Sequence, residues 1–262
     1  MVEVRREGPL TFIGLDRPDK LNALDQALCD ELSAALRQLR HERSILVVHS
    51  TTPGIFVSGA DIAELIERDA EIGMRGVNAQ LFELLESHRW PTVAAIDGPA
   101  LGGGCELALA CDLRVATGRS VFGQPELGLG ILAGAGGNWR LAQAVGTPMA
   151  RRMLYTGQRL TAAQAHDAGL VDVIVADETD LMDAATDLAT TVAGQSWRAL
   201  ELTKVAMQRH RPSTTLYDMT AQALLFDSDD KKQRMQAFLD SRARRREERQ
   251  TTRPYSEPGE QR

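Results

Sequence analysis

The stretch TVAAIDGPALGGGCELALACD, residues 92–112, decides the fold. It begins with an apolar run typical of a buried strand and turns at Gly98-Pro99. Three consecutive glycines then lead into CELALAC, which predicts a short buried helix. Glycines lose much backbone entropy on folding, so three in a row are expected where a ligand must approach the main chain closely. A strand, a Gly-rich turn and a helix in this order indicate an α/β unit.

The same alternation continues on both sides of this stretch. Apolar strands are predicted over 10–16 and 44–50, and leucines at three- and four-residue spacing predict a helix with Asn22 as its N-cap. After about residue 145 helix signals dominate, up to residue 242. We therefore predict an α/β fold with crossover connections, followed by a helical C-terminal region.

Composition excludes several classes of protein. The 262 residues are 43% hydrophobic and 25% charged, which is typical of a globular chain. Three Cys are too few to hold a disulfide-rich domain together. No apolar run approaches the roughly 20 residues of a transmembrane helix. The N-terminus lacks the apolar core of a secretory signal, so we predict a cytoplasmic protein.

The C-terminal end differs from the rest of the chain in charge. Residues 241–262 contain seven Arg and four Glu, a net charge of +3, whereas the whole chain carries −6. This end of the chain contains too few apolar residues to offset the conformational entropy that it would lose on folding. We therefore predict a disordered tail over 243–262. A solvated tail is the favoured interpretation of its arginines, and RNA contact is the lesser alternative. The acidic balance of the whole chain argues against DNA binding.

Three segments contain candidate chemistry. FVSGAD, residues 56–61, is a Gly-containing turn before a helix, whose backbone N–H groups could point at an anion or a polarised carbonyl. The second is the Gly-rich stretch above, where Glu106 lies in the first turn of a buried helix. The third is FGQPELGLG, in which Pro125 stiffens the approach to Glu126. Each segment alone is more often an ordinary connector or helix cap.

The spacing of the residues excludes several other kinds of functional site. The five His show no H-E-x-x-H or similar metal pattern, and Cys105 and Cys111 favour core packing, so no metal site is predicted. No P-loop and no G-x-S-x-G motif is present. The string beginning at Gly128 is not a dinucleotide fingerprint, because Pro125 interrupts the run before it.

Taken together and in order, the motifs resemble those of the crotonase (enoyl-CoA hydratase/isomerase) family. The resemblance covers residues 8–242 and implies a core of repeated ββα units with a helical C-terminal trimerisation region. We predict a crotonase-like β/α core over 1–195, a helical oligomerisation region over 196–242, and then the tail. The matching segments are LDRPDKLNAL (15–24), FVSGADIAEL (56–65), AAIDGPALGGGCELALACDLRVA (94–116), FGQPELGLGILAGAGG (122–137) and TGQRLTAAQAHDAGLVDVI (156–174).

The resemblance also implies an activity. The family binds acyl-CoA thioesters and holds the thioester oxygen with two backbone N–H groups, here those of Ala60 and Gly103. Two glutamates, as in Glu106 and Glu126, are typical of enoyl-CoA hydratases. Such lyases add water reversibly to a 2-enoyl-CoA in fatty-acid or related acyl-CoA catabolism. We predict Glu106 as the base for water and Glu126 as the proton donor to C2, although coupled acids titrate as a pair and the roles could be exchanged.

The remaining predictions follow from the same resemblance. Coenzyme A is part of the substrate, no separate cofactor is expected, and the chain is expected to form a homotrimer or homohexamer. The alternatives are a double-bond isomerase, a specialised acyl-CoA lyase, or a binding protein that uses its basic tail. The residues expected to bind CoA, mainly through the main chain, are Lys20, Leu21, Ala23, Ser58, Gly59, Asp61, Ile62 and Ala63.

Overall fold

Two β-sheets form the centre of the fold in this computed structural model, which describes residues 1–208 and 215–251. The strands, numbered along the chain, are β1 (Val2–Glu7), β2 (Leu10–Leu15), β3 (Ile45–Ser50), β4 (Thr92–Ile96), β5 (Pro99–Leu101), β6 (Leu113–Thr117), β7 (Val121–Gly123), β8 (Leu160–Thr161) and β9 (Val173–Val175). The helices are α1 (Gln26–Leu39), α2 (Ile62–Leu65), α3 (Ala70–Arg75), α4 (Val77–Glu86), α5 (Gly103–Ala110), α6 (Gly137–Thr156), α7 (Ala162–Asp167), α8 (Glu178–Ala193), α9 (Trp197–Gln208), α10 (Thr215–Phe226) and α11 (Asp229–Thr251).

The larger sheet has the strand order β1-β2-β3-β4-β6-β9. Its neighbours are parallel from β2 to β9, and β1 pairs antiparallel with β2 at one edge. The smaller sheet has the order β5-β7-β8, in which β5 and β7 are parallel. Parallel neighbours need crossover connections, and helices supply most of them here. The predicted α/β fold is confirmed.

From β4 to β7, successive strands alternate between the two sheets. β4 of the larger sheet is followed by β5 of the smaller sheet and then by α5, and β6 is followed by β7 and then by α6 after a short 3-10 turn. Val57 forms an isolated parallel bridge with Ala100 in β5, so the segment after β3 joins the smaller sheet too. These are the repeated ββα units that the resemblance implied.

Both faces of the larger sheet are covered at its centre, which explains why β2, β3 and β4 are largely apolar, whereas the edge strand β1 is polar and exposed. Along β2, Ile13 and Leu15 belong to the core shared with α1, α4 and α5, whereas Leu10 and Phe12 belong to the core shared with α8. Side chains of a strand alternate between its faces, so one run of apolar residues serves two cores.

The first helix begins later than its sequence predicts. Its N-cap is Asp25, whose Oδ1 accepts a hydrogen bond from N of Leu28, and not Asn22. Asn22 is fully buried with a positive φ of 51°, and its side chain donates to Oγ of Ser50 and to O of Phe56. A short side chain that can satisfy the backbone tolerates this left-handed conformation, so Asn22 braces the loop before α1.

The C-terminal helices are anchored to the core by two buried lysines. Nζ of Lys204 in α9 donates to Oδ2 of Asp112 at 2.6 Å and to O of Trp90 at 3.1 Å. Nζ of Lys231 in α11 donates to O of Ile66 at 2.8 Å and to O of Arg68 at 2.7 Å. Lys231 thereby supplies donors to carbonyl groups left without helical partners at the end of α2.

The tail differs from its prediction. The helix α11 continues to Thr251, so residues 243–251 are helical, and the rest of the predicted tail lies outside the described residues. Arg and Glu are good helix formers, and an elongating helix gains a hydrogen bond for each residue it adds. The predicted domain boundaries at residues 195 and 242 stay a prediction. None of the described helices is both long and apolar enough to span a bilayer.

Candidate active site

A cavity of about 1180 Å³ collects nearly all the residues predicted to act on or bind the substrate. It is lined by Glu106 and Glu126, by Ala60 and Gly103, and by seven of the eight residues predicted for CoA binding. Ala63 does not line it, although its N–H donates to Oδ1 of Asp61 at 3.0 Å. The roles of these residues stay predictions. The seven that line the cavity are Lys20, Leu21, Ala23, Ser58, Gly59, Asp61 and Ile62.

The turn at residues 58–61 presents the N–H of Ala60. Gly59 has a φ of 118°, which an L side chain rarely adopts, and a Cβ there would lie 3.1 Å from O of Leu101. Leu24 pairs with this turn, since its N–H donates to O of Gly59 and its O accepts from N of Asp61. The N–H of Ala60, between these two bonds, donates to no acceptor in the described chain.

The glycine run brings a second N–H to the same place. A Cβ on Gly104 would lie 2.0 Å from O of Val57, so the close approach of α5 to the turn requires glycine. Gly103 is the first residue of α5, and its N–H therefore has no intrahelical partner. A Cβ built on Gly103 would lie 3.7 Å from N of Ala60. Glycine thus leaves open the space between two main-chain donors.

The carboxylate of Glu106 is held by the main chain. One of its oxygens, Oε1, accepts hydrogen bonds from the N–H groups of Ala135 and Gly137, each at 2.9 Å. The side chain is 4% exposed. Two backbone donors to one oxygen favour the ionised form of a carboxyl group. The environment of Glu106 therefore suits a base.

Glu126 has the opposite environment. It is buried in the 3-10 turn that follows Pro125, and burial together with the charge of Glu106 raises the pKa of Glu126 well above its ordinary value. A neutral acid close to an ionised one is the arrangement that separates a proton donor from a proton acceptor.

The amide of Gln124 lies against both oxygens of Glu126. With its nitrogen facing the carboxyl group, it donates to them at 2.9 Å and 3.2 Å, and this donation acts against the effect of burial on Glu126. Gln124 is itself 1% exposed, so its position is set by packing. This residue lies inside the motif quoted above, but the sequence did not single it out because a glutamine before a proline has no distinctive pattern.

The opening of the cavity is charged. Nζ of Lys20 lies 3.3 Å from Oδ2 of Asp61, and Asp61 caps α2. Burial acts to raise the pKa of Asp61, but hydrogen bonds from Lys20 and from the N–H of Ala63 outweigh it and lower that pKa. The pair holds the loop before α1 against the turn at residues 58–61.

Sequence reasoning missed several cavity residues. Arg242, Arg245 and Arg246 of α11 line the opening, although the sequence assigned them to the end of the helical region and to a solvated tail. Their spacing of three and four residues places them on one face of a helix, and that signal was available. Asn78 and Arg68 also line the cavity, and nothing in their local sequence indicates this. Within residues 1–208 and 215–251, no group of three His, Cys, Asp or Glu residues could hold a metal ion.

Comparisons with known proteins identify the family of this chain. A model of the Enoyl-CoA hydratase/isomerase family matches residues 5–250. The chain is 34% identical to the Short-chain-enoyl-CoA hydratase of Clostridium acetobutylicum, over 92% of this chain and 95% of that one. It is 35% identical to the Crotonyl-CoA hydratase of Syntrophomonas wolfei, over 91% and 95% of the two chains. The crystal structure of an enoyl-CoA hydratase from Bacillus anthracis superposes with a TM-score of 0.76 at 31% identity, covering 92% and 96%.

Proposed function

Because this chain belongs to the enoyl-CoA hydratase/isomerase family, we propose that it is an enoyl-CoA hydratase. The reaction is the reversible addition of water to a 2-enoyl-CoA, which gives a 3-hydroxyacyl-CoA, and the protein is therefore a lyase. The observation that carries this proposal is the presence of Glu106 and Glu126 in one cavity with the N–H groups of Ala60 and Gly103. An isomerase or hydrolase of the family has less use for two acids.

The main chain binds the thioester. Its carbonyl oxygen accepts hydrogen bonds from the N–H groups of Ala60 and Gly103, and negative charge develops on this oxygen when C3 is attacked. Donors that are already in place stabilise that charge without reorganisation, and each is typically worth about 3–4 kcal/mol. Gly59 and Gly104 serve this step indirectly, because they let the two segments approach each other.

The two glutamates move the protons. Glu106 takes a proton from water while the water oxygen bonds to C3, and the π electrons of the C2–C3 bond shift toward the thioester. Glu126 gives its proton to C2, so the elements of one water molecule are added. A proton then passes from Glu106 to Glu126 and restores the starting state of the pair. The reverse reaction, dehydration, uses the same groups with exchanged roles.

The charged opening suits the phosphate groups of coenzyme A. Lys20, Arg159 and the three arginines of α11 line the cavity, and so do apolar side chains such as Ile72, Val77 and Phe226. Guanidinium groups bind phosphate through paired hydrogen bonds. We expect the CoA phosphates beside the basic side chains and the acyl chain against the apolar ones.

The test is product identification by mass. Purified protein is incubated with short-, medium- and long-chain 2-enoyl-CoAs, and the expected product is heavier than its substrate by one water. An unchanged mass with an altered retention time would favour an isomerase. No conversion by protein that binds the thioester would favour a binding protein and contradict the proposal.

We also propose a homotrimer or homohexamer. Large apolar side chains are exposed on the C-terminal helices, among them Leu202, Met207 and Leu224, which are 53%, 76% and 73% exposed. Exposed apolar patches mark interaction surfaces. Ala223 and Phe226 do not contribute, because they pack against α3 of the same chain. Light scattering should give at least three chains, and Met207→Lys should weaken the assembly. A stable active monomer at micromolar concentration would exclude the proposed homotrimer or homohexamer.

A further inference from the structure

The side-chain amide of Asn78 lies beside the two main-chain donors of the cavity. Asn78 is in the first turn of α4 and lines the cavity. The atoms nearest to a Cβ built on Gly103 are Cδ1 of Leu24 at 3.2 Å, N of Ala60 at 3.7 Å and Nδ2 of Asn78 at 3.7 Å. A main-chain nitrogen and a side-chain nitrogen therefore border the same small volume in front of Gly103.

A buried thiol determines which end of the Asn78 amide borders this volume. Sγ of Cys29, on α1, is fully buried and lies 3.4 Å from Oδ1 of Asn78. Burial raises the pKa of the Cys29 thiol to about 12, so the thiol stays protonated and donates to Oδ1. Nδ2 is then the end of the amide beside Gly103, and none of the residues that the structure describes offers it an acceptor.

We propose that Nδ2 of Asn78 is a third hydrogen-bond donor to the thioester oxygen of the substrate, and that Cys29 is the positioning residue that orients it. The inference rests on the proposed function, because it needs an acyl-CoA with its thioester oxygen at Ala60 and Gly103. A third donor adds to the stabilisation of the negative charge on that oxygen. Unlike the main-chain donors, it can be removed by one substitution that leaves the backbone unchanged.

The kinetic test compares variants of similar size. Asn78→Leu should lower kcat for hydration by roughly 10²-fold, the scale of losing one oxyanion donor, with little change in KM. Asn78→Asp should lose at least as much, because a carboxylate cannot donate and repels the developing charge. Gln80→Leu, on the same helix but outside the cavity, should keep the wild-type rate. An unchanged kcat in folded Asn78→Leu protein would overturn the proposal.

An infrared measurement separates this inference from the proposed function. Butyryl-CoA, isotope-labelled at the thioester carbonyl, has no double bond and cannot be hydrated, so it reports on the donors alone. The wild-type protein should lower its carbonyl stretching frequency, and Asn78→Leu should lower it less. Equal frequencies in the two proteins would overturn the inference. A wild-type protein that lowers the frequency but does not hydrate 2-enoyl-CoA would overturn only the proposed function.

Cys29 is tested through the same readouts. Cys29→Ala removes the donor to Oδ1 and lets the amide turn, so both kcat and the shift in carbonyl frequency should decrease. Cys29→Ser retains a donor, and both should recover toward wild-type values. If the alanine variant folds and its carbonyl frequency equals that of the wild type, Cys29 has no positioning role.

Discussion

Glu106 and Glu126 are the same residue type in one cavity, yet the protein holds them in opposite ways. Glu106 lies on a regular helix, and the N–H groups of Ala135, before α6, and of Gly137, its first residue, bind its Oε1. Glu126 lies in a short 3-10 turn, and burial with the charge of Glu106 raises its pKa. The difference teaches that main-chain donors around the first carboxyl group, and burial of the second beside the charge of the first, give two identical side chains different environments.

The largest expected effect comes from neutralising either member of the pair. Glu106→Gln and Glu126→Gln each keep size and hydrogen-bonding capacity but remove a proton site, so each should lower kcat by about 10²–10⁴-fold. The double variant should lose much less than the product of the two, because residues that act as a unit are not additive. Steady-state hydration assays measure this, and a nearly silent single variant would mean that one acid suffices.

A slightly smaller effect is expected from filling the space between the main-chain donors. Gly103→Ala places a Cβ 3.2 Å from Cδ1 of Leu24, which can shift, and should lower kcat by roughly 10²-fold with the fold retained. Gly104→Ala places a Cβ 2.0 Å from O of Val57 and should disrupt the fold itself. Gly118→Ala meets nothing closer than 3.5 Å and serves as the control. Normal turnover in Gly103→Ala would remove this N–H from the site.

The pH dependence of hydration sharpens the comparison further. Glu126 must be protonated, so its raised pKa keeps the donor form present into a pH range where ordinary carboxyl groups are ionised. The rate should decrease about tenfold per pH unit once the pH exceeds that pKa, and it should also decrease in acid when Glu106 becomes protonated. A kcat profile with no decrease on its alkaline side would contradict the role of Glu126 as acid.

The smallest effect concerns stability. Between the ordinary carboxyl pKa and the raised pKa of Glu126, the folded protein binds more protons than the unfolded chain, so the free energy of unfolding decreases as pH rises. Glu126→Gln removes this dependence. As pH increases between the two pKa values, the Tm of the variant minus that of the wild type should therefore rise by on the order of a few degrees.

Glu106→Gln provides the opposite control for stability. It should lower Tm, because a neutral amide is a weaker acceptor for the two N–H groups than a carboxylate. Both variants are measured by thermal unfolding over the same pH series. If both shift Tm in the same direction at neutral pH, the two glutamates do not have opposite environments.

Some of this molecule could be predicted from local patterns. Three consecutive glycines predict a close approach to the main chain, and at Gly104 the approaching group is O of Val57 and not a ligand. The N-cap of α1 was placed wrongly at Asn22, because Asn22 and Asp25 are both good caps and only the packed loop decides between them. The helix continues over 243–251 because Arg and Glu favour a helix, although these residues contain too few apolar side chains to be buried.

The sequence by itself determined the α/β fold, the glycine-bordered turns and the presence of two acids, because strand periodicity, glycine and residue identity are local properties. Only the tertiary structure decided the surroundings of the two acids, since these depend on burial and on N–H groups 29 and 31 residues away from Glu106. It alone also placed Asn78 beside Gly103 and the arginines of α11 at the opening. Contacts between distant segments arise from packing, and the local sequence of one segment does not specify which other segment it meets.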